Sequence, residues 1–354
     1  MVRSVEGHDT MTGGQESKSP RKPALLLVAG SDRHGTSVFT GIVQRLGFHV
    51  PQPEVRADDT SLRGFAESQW IVDFHTRLLK SARVQTCDGR PAAWAKTARV
   101  ALARSVRRQL ESWLRSQFRQ ADSIVITDPR LPWFLSLWRQ CAEDLGAGPR
   151  FATVLRHPAV TGATGRSHRT WGADVNRATA WLNQVLFTER ATRGAPRVFV
   201  RYEDLFEDWA RTIGRVGKAL DLAAIRDASW TSMVRAEQFV DRTSSRSGQN
   251  RDALDLPASL SRLSDEVWEL ACRLADEEGS DSQPVIERLD AARATYIDLY
   301  EEAEAIAQSS VWAAEREAQQ RISPRVARMV PRRVRHKVPL AWRQAALRRI
   351  VGPG

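Results

Sequence analysis

Cysteine is scarce in this 354-residue chain, and the three present, Cys87, Cys141 and Cys272, stand more than fifty residues apart with no CxxC pair. That spacing excludes a disulfide framework and a thiolate zinc site, and it fits a reducing, cytoplasmic setting. Long apolar runs are missing as well. The longest near the N-terminus, Ala24 to Ala29, falls far short of the roughly 20 residues that span a bilayer. Residues 1–23 are polar, so neither a signal peptide nor a membrane helix is expected. Acidic residues vanish towards the C-terminus: from Arg321 onward there are ten Lys or Arg and no Asp or Glu, leaving 43 cations against 42 acids before it. The net charge of +11 therefore resides in the tail, and the body lacks the basic surface of a general nucleic-acid binder. What remains, 42% hydrophobic and 27% charged, is enough for a sizeable core.

Residues 1–23 read as a disordered leader or a misplaced start, because Gly, Ser, Thr and charge dominate without apolar periodicity. Four short apolar runs follow: Ala24 to Ala29, Ser123 to Thr127, Phe151 to Leu155 and Arg197 to Val200. Each is too short for a helix, and helical-period segments separate them. This is the βαβ pattern of an α/β protein with a parallel sheet flanked by helices, P-loop-like and carrying a helical C-terminal extension. Helices are predicted at Thr36 to Leu46, Phe65 to Leu79, Trp94 to Phe118, Leu131 to Leu145, Trp171 to Arg193, Leu205 to Leu220, Leu263 to Ala275 and Val285 to about Gln320. There is no internal repeat.

The junction after the first strand is the most informative segment. ALLLVAG runs into SDRHGTS and then an amphipathic helix, so residues 30–37 form a Gly-bounded strand-to-helix loop. Main-chain N–H groups converge in such a loop, and the helix end adds partial positive charge, which together make a phosphate cradle. The spacing Gly30-x4-Gly35-Thr36-Ser37 matches a P-loop except that Thr36 stands where a nucleoside-triphosphatase needs Lys. Arg33 supplies a cation inside the loop instead. Thr36 and Ser37 can bond a single phosphate through their hydroxyls. The bland alternative is an ordinary tight turn that Thr36 or Ser37 caps.

These residues resemble the 5′-phosphosulfate loop of the sulfotransferases that use 3′-phosphoadenosine 5′-phosphosulfate, and of a bacterial group among them. Ser31-Asp32-Arg33-His34-Gly35-Thr36-Ser37 follows that loop with Arg in the basic position and His34 in place of a small residue. A second family segment, a strand leading into Arg-x-Pro with a hydroxyl residue further on, is matched by VLRHPAVTGAT, which supplies Arg156, Pro158 and Thr164, with Ser167 as a substitute for Thr164. Further similarity lies in GFAESQWIVDFHTRLL, ITDPRLPWFLSLW and VRYEDLFEDW, so the likeness runs from about Ala24 to Gln308. The family often has Lys where Thr127 stands.

The resemblance implies sulfuryl transfer to an acceptor hydroxyl on a carbohydrate, lipid or secondary metabolite, without a metal and by in-line displacement. It places the donor's 5′ side on Gly30, Arg33, His34, Gly35, Thr36 and Ser37. The 3′-phosphate would lie on Arg156 and Thr164 or Ser167; Arg242 and Arg246 of the later basic loop are 3′-phosphate or adenine contacts, or else solvated loop charges. Arg33 would also assist the leaving oxygen. The acceptor proton would go to Glu67, expected in the first turn of its helix, or to His75, which is otherwise a core histidine. Arg130, after Asp128 and Pro129, would touch sulfonate or acceptor, or else serve a structural ion pair. Glu203 and Asp204 after the fourth strand read as helix-start carboxylates. Trp70 and Trp133 are acceptor platforms or core.

The expected organisation is a leader at 1–23, a sulfotransferase domain at 24–310 and a basic amphipathic tail at 311–354. The tail interleaves cations with Val, Met, Leu, Trp and Ile between prolines, a composition suited to an anionic membrane surface. A peripheral position on the inner face of the membrane is expected from it, and no nucleic-acid partner. The rival functions are a P-loop kinase or nucleoside-triphosphatase, and a noncatalytic, membrane-docking nucleotide-binding protein.

Overall fold

The computed structural model describes residues 23–30, 35–55, 66–160, 171–240, 254–276 and 282–329, with backbone alone at 171–172 and 319–329. Four strands, β1 (Ala24–Ala29), β2 (Ser123–Thr127), β3 (Gly148–Leu155) and β4 (Arg197–Arg201), form a sheet in the order β2-β1-β3-β4. All pairings are parallel. Each predicted apolar run is a strand. β3 starts earlier than its apolar stretch, because Gly148 pairs with Ala24 through the backbone, which the apolar pattern does not register.

Both faces of the sheet are covered, and side-chain alternation divides the core in two. Leu25 and Leu27, with Ile124, Ile126 and Phe151, face one layer. It contains α2 (Gln69–Ala82), α4 (Arg104–Phe118) and α5 (Leu135–Asp144). Leu26 and Val28, with Val125, Val154 and Val200, face α1 (Thr36–Arg45), α8 (Trp209–Ala219) and α10 (Trp230–Phe239). Leu25 to Leu27 are wholly buried, each stabilising the fold by about 2 kcal/mol. The remaining helices are α3 (Ala93–Ala101), α6 (Trp171–Thr192), α7 (Asp204–Glu207), α9 (Ala223–Arg226), α11 (Ala258–Asp276) and α12 (Gln283–Met329).

Several helix boundaries are corrected. The expected Trp94–Phe118 helix is two, separated at Ala103, whose ψ of 126° is extended. No Gly or Pro marks that break. Asp208 interrupts the expected Leu205–Leu220 helix, its carboxylate accepting from Arg211 N at 2.9 Å to cap α8. The segment from Leu131 opens as a 3-10 turn through Phe134 with Pro132 in it. α10 escaped the sequence reading although Ser229 caps it, its Oγ accepting from Ser232 N at 3.2 Å.

The chain divides into two compact units, Met1–Tyr296 and Ile297–Gly354. Within the first, the opening turns of α12 are tied down. Arg193 bridges Glu189 of α6 to Asp290, and Glu189 also takes the buried Arg197 at 3.0 Å. The Tyr296 hydroxyl reaches Thr179 O at 2.9 Å and the Gly89 carbonyl. In the second unit, helical residues 301–318 are exposed, Ile306 and Trp312 among them. Among the described residues no helix is long and apolar enough to cross a membrane.

Candidate active site

In a parallel sheet all strands end on the same side, so the loops after β1, β2, β3 and β4 gather at one edge. β1 ends at Ala29, and Gly35 precedes α1 in a left-handed conformation at φ 87°. Two glycines are sterically required here. A Cβ at Gly30 would fall 2.7 Å from the Thr36 side chain and 3.2 Å from the Val154 carbonyl oxygen. A Cβ at Gly35 would fall 2.0 Å from the Tyr202 ring. Among the described residues no side chain caps α1, and its first turn carries no acid, so its first N–H groups keep their affinity for an anion. Thr36 is buried and Ser37 half-buried.

Arg156 follows β3 directly and is mostly buried, its guanidinium carbon 4.2 Å from the centre of the Tyr202 ring. Its carbonyl accepts from the Trp181 indole at 3.0 Å. Tyr202 follows β4 and donates its N–H to Leu155 O at 2.8 Å, continuing the β3–β4 ladder one step. The edge thus brings Gly35 and Arg156 against one tyrosine, with Thr36 next to Gly30. The chain is similar to two solved sulfotransferase domains. The one from the curacin biosynthetic pathway is 13% identical, the match covering 70% of this chain and 98% of that one, with a TM-score of 0.39. The one from the Synechococcus PCC 7002 olefin synthase is 16% identical, over 71% and 98%, with a TM-score of 0.34. No family model and no curated protein sequence matches this chain.

At the end of β2 the chemistry is built on Asp128. The Trp138 indole N–H donates to His75 Nε2 at 2.9 Å. Indole only donates, so Nδ1 carries the imidazole proton and gives it to Asp128 Oδ1 at 3.2 Å. Arg130 donates its N–H to Oδ1 at 2.7 Å and Nη1 to Oδ2 at 2.8 Å. Burial pushes the Asp128 carboxyl up, but the bond from His75, with the charge of Arg130, outweighs it and holds the group below the usual carboxylate range.

This arrangement corrects the assignment of His75 as a base. The ring is wholly buried with both nitrogens engaged, leaving no lone pair for an acceptor proton. Glu67 is corrected in a smaller respect: it lies before α2 rather than in its first turn, next to Ala66 at φ 51°. Its carbonyl accepts from Val55 N at 2.8 Å, beside the Glu54–Ser68 bridge, and the residue is buried. Arg33, His34, Thr164, Ser167, Arg242 and Arg246 lie outside the described residues.

Trp133 and Trp70 belong to the core. The Trp133 indole donates to Thr86 O at 3.0 Å, and Trp70 stacks on Trp113 at 4.3 Å. Asp204 starts α7 and accepts from Arg201 Nε at 3.2 Å, a helix-start role. Tyr202 is the residue that sequence reasoning missed. Its only signal was an aromatic placed directly after an apolar strand, in a chain with three tyrosines.

Proposed function

We propose that this protein is a sulfotransferase that moves a sulfuryl group from 3′-phosphoadenosine 5′-phosphosulfate to an acceptor hydroxyl. The convergence of Gly35 and Arg156 on the Tyr202 ring carries this reading. It puts the glycine-bounded loop that resembles a 5′-phosphosulfate loop beside the arginine that resembles a 3′-phosphate ligand. A Cβ at Gly30 would collide with Thr36 and Val154 and one at Gly35 with Tyr202, so the backbone course of the proposed donor cradle depends on both glycines.

In this reading Gly30, Gly35, Thr36 and Ser37 hold the 5′-phosphate through N–H and hydroxyl donors, with Arg33 and His34 completing the loop. Arg156, with Thr164, Ser167 and Arg246, receives the 3′-phosphate. The acceptor oxygen attacks sulfur, the bond from sulfur to the phosphate oxygen breaks, and the proton passes to Glu67. A sulfate ester and adenosine 3′,5′-bisphosphate result. The protein's contribution is alignment of the three reacting atoms and neutralisation of the charge gathering on the leaving phosphate, which Arg33 assists. The acceptor is a carbohydrate, lipid or secondary metabolite. A lipid acceptor agrees with the basic, apolar-interleaved tail, which would settle on an anionic membrane face.

Calorimetry with adenosine 3′,5′-bisphosphate and with ATP-Mg tests the donor assignment. Tight binding of the bisphosphate is expected, and preferential binding of ATP-Mg would defeat the reading in favour of a nucleoside-triphosphatase. Mass spectrometry of candidate acceptors incubated with donor then looks for the added mass of one SO3 group. Co-sedimentation with phosphatidylglycerol vesicles, and none with phosphatidylcholine vesicles, is the result expected of the tail.

A further inference from the structure

The near-balance of charge over residues 1–320 conceals a local excess. Residues 77–119, which build the end of α2 and the whole of α3 and α4, contain eleven Lys or Arg and two acids. Both acids are engaged within this stretch: Asp88 holds Arg90, and Glu111 holds Arg107. The nearby acids of α5 are engaged too, Asp144 by Arg107 and Glu143 by Arg139. Lys80, Arg83, Lys96, Arg99, Arg104 and Arg108 are exposed, and among the described residues none of them forms an ion pair.

The three helices pack their apolar sides into one core, with Leu78, Leu110 and the half-buried Val100 in it, so their charged sides turn outward from a single layer. Unpaired like charges gathered there repel one another, and an anionic partner relieves the repulsion. The corner between α3 and α4 adds a second chemistry. Leu102 ends α3 and is 79% exposed, with the exposed Ala98 and Ala103 close by and Arg99 and Arg104 on either side of it in the chain. An exposed leucine alone is ordinary. Set among unpaired cations, it completes the pair of contacts that hold a protein at an anionic bilayer, apolar insertion at headgroup depth and cations on lipid phosphates. A nucleic acid or a sulfated glycan would use the cations and leave Leu102 in water.

We infer that the outer surface of α2, α3 and α4, with Leu102 at its corner, docks on an anionic lipid bilayer. This surface belongs to the folded body, so the inference depends neither on the sulfotransferase reading nor on the C-terminal tail. Trp94 of α3 packs on Trp133 in the turn after β2, ring centres 4.5 Å apart. The docking helices therefore adjoin the edge at which the strand-end loops gather.

Co-sedimentation of the full chain with phosphatidylglycerol vesicles, at low and at high salt, tests it. Joint replacement Arg99→Gln, Arg104→Gln and Arg108→Gln is expected to weaken low-salt binding by more than about tenfold and to flatten its salt dependence. Leu102→Ser should weaken binding about fivefold at either salt level, because salt does not screen an apolar contact. All four side chains are exposed, so the variants keep the fold. Binding that survives the joint replacement but is lost on Arg332→Gln, Arg333→Gln and Arg335→Gln would overturn the inference by assigning the contact to the tail alone. Arginine-dependent binding of duplex DNA or dextran sulfate, with Leu102→Ser indistinguishable from the unaltered chain on vesicles, would overturn it in favour of a soluble polyanion. Absence of vesicle binding by the unaltered chain would overturn it outright.

Discussion

The Arg156 guanidinium carbon stands 4.2 Å from the centre of the Tyr202 ring, and the same ring fills the space that a Cβ at position 35 would need. One side chain from the end of β4 therefore lies against both Gly35, after β1, and Arg156, after β3, the two elements proposed to hold the donor's phosphates.

Tyr202→Phe should leave nucleotide affinity nearly unchanged, because the ring face that carries Arg156 survives. Tyr202→Leu removes a cation–π contact of about 1 kcal/mol, so affinity for adenosine 3′,5′-bisphosphate should fall roughly fivefold. A double-mutant cycle with Arg156→Ala checks the coupling: in the absence of the guanidinium, the Phe and Leu variants should bind alike.

Two glycines at positive φ separate strain from steric exclusion. Gly47, at φ 112°, has open space where a Cβ would go, so Gly47→Ala should cost about 1 kcal/mol of stability and leave nucleotide binding alone. Gly35→Ala adds the collision with Tyr202 and should lose nucleotide binding by more than about tenfold. Urea unfolding and calorimetry on both variants give the comparison. Equal binding by the two would remove Tyr202 from the site.

Acid stability should depend on Asp290. Arg193 chiefly, with Arg293, holds its carboxyl down at about 2, against an ordinary value of 3.8. A depressed folded-state pKa means the contribution is complete above about 3.8 and is lost as pH falls towards 2. The side chain is 39% exposed, so solvent screening keeps the effect modest. Thermal unfolding followed between pH 5 and pH 2, a range of roughly the carboxylate titration, should show a shallower acid slope for Asp290→Asn than for the unaltered chain.

Two thiols should resist alkylation in the folded protein. Burial, with Glu111 nearby, pushes Cys141 up to about 12, and burial pushes Cys272 up to about 11. The thiolate is the reactive form. Iodoacetamide near pH 8 should therefore label both only after denaturation, and peptide mapping distinguishes them from Cys87.

The buried Arg197–Glu189 pair should be a point of vulnerability. Glu189→Gln leaves Arg197 buried beside a neutral amide and also loosens Arg193, so a loss of about 3 kcal/mol is expected from urea unfolding.

Local chemistry alone determined the strands and the glycine-bounded loop after the first of them. An apolar run that covers both faces of a sheet must be buried, so ALLLVA, SIVIT and their successors declare themselves as strands from hydrophobicity alone. Parallel strands then force the loops after them to one edge, where Arg156, expected beside Gly30, Gly35 and Thr36 from the family resemblance alone, is found with them. Tertiary structure alone decided the rest. Tyr202 is 46 residues beyond Arg156 and meets it only because β4 pairs with β3. His75 and Trp138 carry no local mark distinguishing a base from a core histidine. The choice depends on which groups reach its two nitrogens, and those arrive from α5 and the end of β2. The break at Ala103 was hidden for the same reason: no residue there forbids a helix, and the packing of α3 and α4 against different neighbours is a property of the assembled core.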